Sequence, residues 1–75
     1  MSTNKPVFTD DFVDGVLFGN GLTLADYFVR KSPVSEAVCY LDRNGQQFYL
    51  SIGNDELFKA ALARLITLGV RIVVL

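Results

Sequence analysis

AVCYLDRNGQQFYLSI, residues 37–52, is the stretch on which the fold turns. Asn44 and Gly45 stand at its centre, a pair that tolerates positive φ and is the strongest short-range hairpin signal. Apolar and polar residues roughly alternate on either side, as strands with one buried face require. Two registers suit this turn. A two-residue loop at Asn44–Gly45 places Ala37, Cys39, Leu41, Phe48, Leu50 and Ile52 on one face. Val38, Tyr40, Asp42, Gln47, Tyr49 and Ser51 then take the other. A type I turn over Arg43–Asn44 with Gly45 as a bulge mixes the two sets, because a one-residue slip moves a strand's side chains to the opposite face. The first register sorts the faces more cleanly, and it sets Tyr40 opposite Tyr49.

Downstream, GNDELFKAALARLITLG (residues 53–69) reads as a helix. Asn54 is its cap, Asp55 and Glu56 fill the first turn, and Gly69 stands just beyond the end. Leu57, Phe58, Ala61, Leu62, Leu65 and Ile66 make one apolar stripe. Val70 to Leu75 follows as a β-branched strand. It is apolar on both faces, with Val70, Ile72 and Val74 on one and Arg71, Val73 and Leu75 on the other.

Upstream, Thr9 caps a short helix over Asp10 to about Phe18, although Gly15 weakens it. A small hairpin turning at Gly19, Asn20 and Gly21 is the alternative. LTLADYFVRKS (residues 22–32) reads as a second helix, Leu24 to Lys31. Thr23 and Asp26 have capping-box spacing, Arg30 and Lys31 sit in the last turn, and Ser32–Pro33 stop it.

The expected architecture is α+β. Residues 1–6 form a flexible arm and residues 7–75 one small domain. Two short N-terminal helices precede a β-hairpin–α–β unit. Its three-stranded sheet has the spatial order 2-1-3 and is backed by the C-terminal helix. In that order the last strand is an edge, with Arg71 its only charged guard, and a long apolar edge invites pairing. Either the N-terminal helices cap it or a second chain completes it.

Composition narrows the function. The 75 residues include one cysteine and no histidine, so an internal disulfide and a Cys/His zinc site are excluded. A domain this small is marginal, which leaves oligomerisation or a partner as the readiest added stability. The net charge of −1 gives no general pull toward nucleic acid. No apolar run nears the roughly 20 residues of a membrane span. MSTNKPVFTDD (residues 1–11) has no apolar core of a signal peptide, so the expected location is the cytoplasm.

Candidate chemistry is thin. Asp10, Asp11 and Asp14 form an acidic cluster, but the helix dipole explains carboxylates in a first turn. Gly19, Gly21 and Thr23 offer a weak anion-binding loop, against the plainer reading of an interhelix turn. Cys39 has no histidine to activate it and reads as a small buried hydrophobe. No serine lies in a nucleophile elbow. No cofactor and no metal are expected, and the chain reads as a non-enzyme.

The leading expectation is a protein-interaction module that works by occupying a surface. Its contact residues would be Val38, Tyr40 and Tyr49 on the second sheet face and Val73 and Leu75 on the last strand. Asp10, Asp11 and Asp14 would suit a basic target. A chain this small and catalytically empty also fits a stoichiometric inhibitor or adaptor, such as a viral or mobile-element protein acting on a host complex. The alternatives are a self-assembling homodimer and a small anion- or nucleotide-binding regulatory domain using the Gly19–Thr23 loop.

Overall fold

A computed structural model describes residues 8–75; the expected arm at residues 1–6 lies outside them. The chain forms a small α+β domain with two helices and a four-stranded mixed sheet. The elements are α1 (Asp10–Phe18), β1 (Tyr27–Lys31), β2 (Glu36–Leu41), β3 (Gln47–Tyr49), α2 (Asp55–Leu68) and β4 (Arg71–Val74). The sheet order is β3-β2-β1-β4, with β1 parallel to β4 and the other pairs antiparallel.

Both helices begin and end where their caps place them. The Thr9 hydroxyl accepts the Phe12 N–H at 3.1 Å, and the Asn54 side chain accepts the Leu57 N–H at 3.1 Å. Gly69 takes the left-handed conformation at φ 90°. Its N–H reaches the Ile66 carbonyl at 3.1 Å, and the Val70 N–H reaches Leu65 at 3.0 Å. This Schellman motif turns α2 directly into β4.

The expected second helix is a strand. Asp26 does accept the Thr23 N–H at 2.9 Å, but the cap closes only a single 3-10 turn, Leu24–Asp26. From Tyr27 the chain is extended and lies in the middle of the sheet. A helix there would leave β2 and β4 without a strand between them, whereas a central strand gains a ladder on each side. Tyr27, Phe28 and Val29 are all buried, as a strand covered on both faces demands. Ser32 then ends the strand rather than a helix: its N–H bonds the Ser35 carbonyl at 2.9 Å and the chain doubles back into β2. The expected 2-1-3 order therefore has β1 inserted between its second and third members, and β4 pairs with β1 instead of β2.

The hairpin adopts the bulged register. Tyr40 pairs with Phe48 and Cys39 with Tyr49, so Tyr40 does not face Tyr49. Asp42 decides this. Its carboxylate accepts the N–H groups of Asn44 at 2.9 Å and Gln46 at 2.8 Å. Gly45, at φ 77°, supplies the bulge. The slip turns Val38 and Tyr40 to the same side as Phe48, Leu50 and Ile52.

That side carries both helices. Val13 and Leu17 of α1, and Ala61 and Leu65 of α2, pack on Tyr27, Val29 and Val38, with Val70 closing the end. Each pair is spaced i, i+4, so one stripe per helix meets the sheet. The Tyr27 hydroxyl donates to the Leu17 carbonyl, satisfying one of the unpaired groups at the α1 terminus. Across the helix pair, Arg64 Nε and Nη2 meet the two Asp14 oxygens at 2.9 and 3.1 Å. Asp10 stands 3.5 Å from the same guanidinium.

Candidate functional site

With both helices on one side, no described helix covers the other face of the sheet. Strand alternation and the observed register place Phe28, Arg30, Ala37, Cys39, Leu41, Gln47, Tyr49, Arg71 and Val73 there. The face closes over itself. The Arg71 guanidinium lies 5.2 Å from the centre of the Phe28 ring. Arg30 Nη1 donates to the Tyr49 hydroxyl at 3.0 Å. Beneath these, Cys39 is fully buried, and burial pushes its thiol above the ordinary range while Arg30 pulls it back in part. Among the described strand residues on this face, the charged ones are Arg30 and Arg71.

At the 32–35 end of the face, a concavity of about 260 Å³ is lined by Arg30, Ser32, Ser35, Ala37, Tyr49 and Leu75. Beside it, β4 is a sheet edge with no described strand on its outer side. The Leu75 N–H bonds the Lys31 carbonyl at 2.8 Å. Strand alternation then sends the N–H and C=O groups of Ile72 and Val74 outward, without a partner in the sheet. The side chains along this edge are bare: Ile72 is 46% exposed, Val74 77% and Leu75 61%. Ile66 and Leu68, at the end of α2, are exposed too.

The residues singled out in the sequence fall into three groups. Tyr49, Val73 and Leu75 lie on the open face or the free edge. Val38 is in the core at 1% exposure and Tyr40 packs beneath the helices, because the bulged register turns both inward. Asp10 and Asp14 are bound to Arg64, which holds the Asp14 carboxyl below the usual carboxylate range; Asp11 is exposed.

The Gly19–Thr23 loop spends its N–H groups within itself and its neighbours. The Gly19 N–H goes to Gly15 and that of Gly21 to Phe18. Those of Leu22 and Thr23 go to the side chains of Asn20 and Asp26. The hollow beside the loop is lined by Asp26 and Asp42 along with Arg43, so it lacks a positive field. Among the described residues, no three His, Cys, Asp or Glu side chains gather to hold a metal ion. No described helix is long and apolar enough to cross a membrane.

Arg30 is the site residue that sequence reasoning missed. The capping pattern puts it in the last turn of a helix, where a cation needs no further explanation. Alternation of YFVRK would have put it on a sheet face with Phe28.

No family model, curated protein or solved structure matches the chain. The functional reading therefore rests on its own surface chemistry.

Proposed function

We propose that this chain is a non-enzymatic protein-interaction module that works by occupying a surface, as an inhibitor or adaptor does. The free edge of β4 carries the reading. An edge that presents unpaired backbone groups between exposed Ile72, Val74 and Leu75 is a template for an added strand. Backbone pairing supplies affinity there, and the alternating side chains supply selectivity. Arg71 is the only charged residue on the edge, and it lies on the open face rather than in the apolar row.

A second reading shares this observation. In it the partner strand is β4 of another copy, since an apolar strand pairs with itself antiparallel and a two-fold axis closes the assembly. The Val74→Lys variant tests both. Its backbone groups point away from β1, so the substitution leaves the internal ladder intact and places a charge on the edge. Sedimentation of the wild-type chain over a range of concentrations reads self-association. Capture from lysate, with Val74→Lys as the control, reads other partners. A monomer whose captured partners are all retained by Val74→Lys would remove the edge from the functional surface.

A further inference from the structure

We infer that β4 pairs with β4 of a second copy, antiparallel about a two-fold axis at Val73. The two four-stranded sheets then become one, with α1 and α2 of both chains on the same side. The inference rests on the edge-docking reading above and names the occupant of the edge.

The backbone is the first support. The Leu75 N–H bonds the Lys31 carbonyl, so the N–H and C=O groups of Arg71 and Val73 also face β1, and those of Ile72 and Val74 face outward. An antiparallel mate must bring its own outward groups opposite these. With the axis at Val73, Ile72 of each chain pairs with Val74 of the other. The pair exchanges both bonds, and every outward group of Ile72 and Val74 is satisfied. With the axis at Ile72, Val74 meets Val70 of the second copy. The Val70 N–H is already given to the Leu65 carbonyl at 3.0 Å, so the Val74 carbonyl finds no donor. With the axis at Val74, Ile72 has no opposite number among the described residues.

The side chains choose the same register. Arg71 is the one charged residue of the strand. With the axis at Val73, the backbones of the two arginines stand about 14 Å apart along the seam. With the axis at Ile72 that falls to about 7 Å, and at Arg71 they lie directly opposite, where like charges destabilise. The Arg71 guanidinium leans over the Phe28 ring of β1, at 5.2 Å, and so leaves the seam apolar. What remains on the seam complements itself. Ile72 and Val74, 46% and 77% exposed, cover one another on the helix side, and Val73 meets Val73 on the open face.

The other edge limits the assembly to two chains. β3 has three residues and starts just beyond the Gly45 bulge. A very short strand beside a bulge is a poor template for a further chain, so the pair is closed.

Sedimentation equilibrium, amide exchange and cysteine cross-linking of the full chain test this. The wild type is expected to show the mass of two chains at concentrations where Val74→Lys shows half of it. The Ile72 and Val74 amides should gain protection as concentration rises, and lose it in Val74→Lys. Val73→Cys should form a covalent dimer in a glutathione buffer. Its Cα atoms would stand about 4.5 Å apart in a pair without hydrogen bonds, within the range a disulfide spans. Ile72→Cys should not, since the two copies of that residue lie beyond the roughly 7 Å limit. Cys39 is fully buried, so the wild type serves as the blank. Cross-linking of Ile72→Cys ahead of Val73→Cys would overturn the register. A two-chain mass retained by Val74→Lys would overturn the seam. A one-chain mass at every concentration reached would overturn the second copy. In that last case a blocked TVTVT peptide that shifts the Ile72 and Val74 amides would leave edge docking standing, and one that shifts neither would remove it as well.

Discussion

Tyr27 and Phe28 are neighbours in β1 and face opposite ways. Tyr27 points beneath the helices, packs against Phe18 and Tyr40, and donates a hydrogen bond from its hydroxyl to the Leu17 carbonyl at the end of α1. Phe28 points to the open face, where an arginine from β4 lies across its ring. Both are buried, at 1% and 7% exposure, but by different means. One face is sealed by two helices from distant parts of the sequence. The other is sealed by side chains of the strands themselves, polar groups outermost. The first kind of closure makes a core; the second makes a surface that another molecule can share without unfolding anything.

The largest expected difference between the faces is in stability. Leu65→Ala on α2 opens a cavity at a site with no exposure, and should cost about 2–5 kcal/mol. Tyr49→Ala removes a ring that is 58% exposed and one hydrogen bond, and should cost about 1 kcal/mol. Urea denaturation of the two variants checks this. Comparable losses would mean that the open face is a second core, and the division between the faces would fail.

Cys39 sharpens the comparison, being buried on the open side between its ladder partners Phe28 and Tyr49. Its thiol should react far more slowly with a disulfide reagent at pH 8 than in the unfolded chain, since burial disfavours the thiolate. Tyr49→Ala should speed the native reaction by more than its loss of global stability allows. A rate that merely tracks stability would show that Tyr49 does not form the lid.

The helices and the caps were legible in the sequence because their signals are local. Thr9 and Asn54 mark starts, Gly69 marks a stop, and α1 spans the residues those signals give. The strand at 27–31 was not legible, since five residues cannot separate a period of 2 from one of 3.6. Its state is set by β2 and β4, one later in sequence by about ten residues and the other by about forty. The hairpin register was legible and was misjudged. Asp42 in the first position of a type I turn, with Gly45 in the fourth, is the bulge signature, and it outweighs the sorting of faces. That single slip exchanged Val38 and Tyr40 for Cys39 and Leu41 on the open face. Tyr49 and Leu75 are exposed and Val73 is half-buried; Arg30 was lost with its strand.

The smallest effect tests the helix side of the comparison. Arg64 grips Asp14 through two hydrogen bonds at a half-exposed position, and this depresses the Asp14 pKa in the folded chain. A depressed pKa makes the pair's contribution fully present above the unfolded value of about 4 and lost as pH falls through the folded one. The melting temperature of the wild type should therefore exceed that of Asp14→Asn by a constant margin from neutral pH to about 5. The margin should close in more acid solution and narrow in high salt, as partial exposure permits screening. A margin independent of pH would mean that Arg64 does not bind Asp14 in solution. The helices would then be joined by apolar packing alone. Asp10, Asp11 and Asp14 would in that case stand free as an acidic surface opposite the basic sheet face, and each side of the molecule would hold an unpaired charge for a partner.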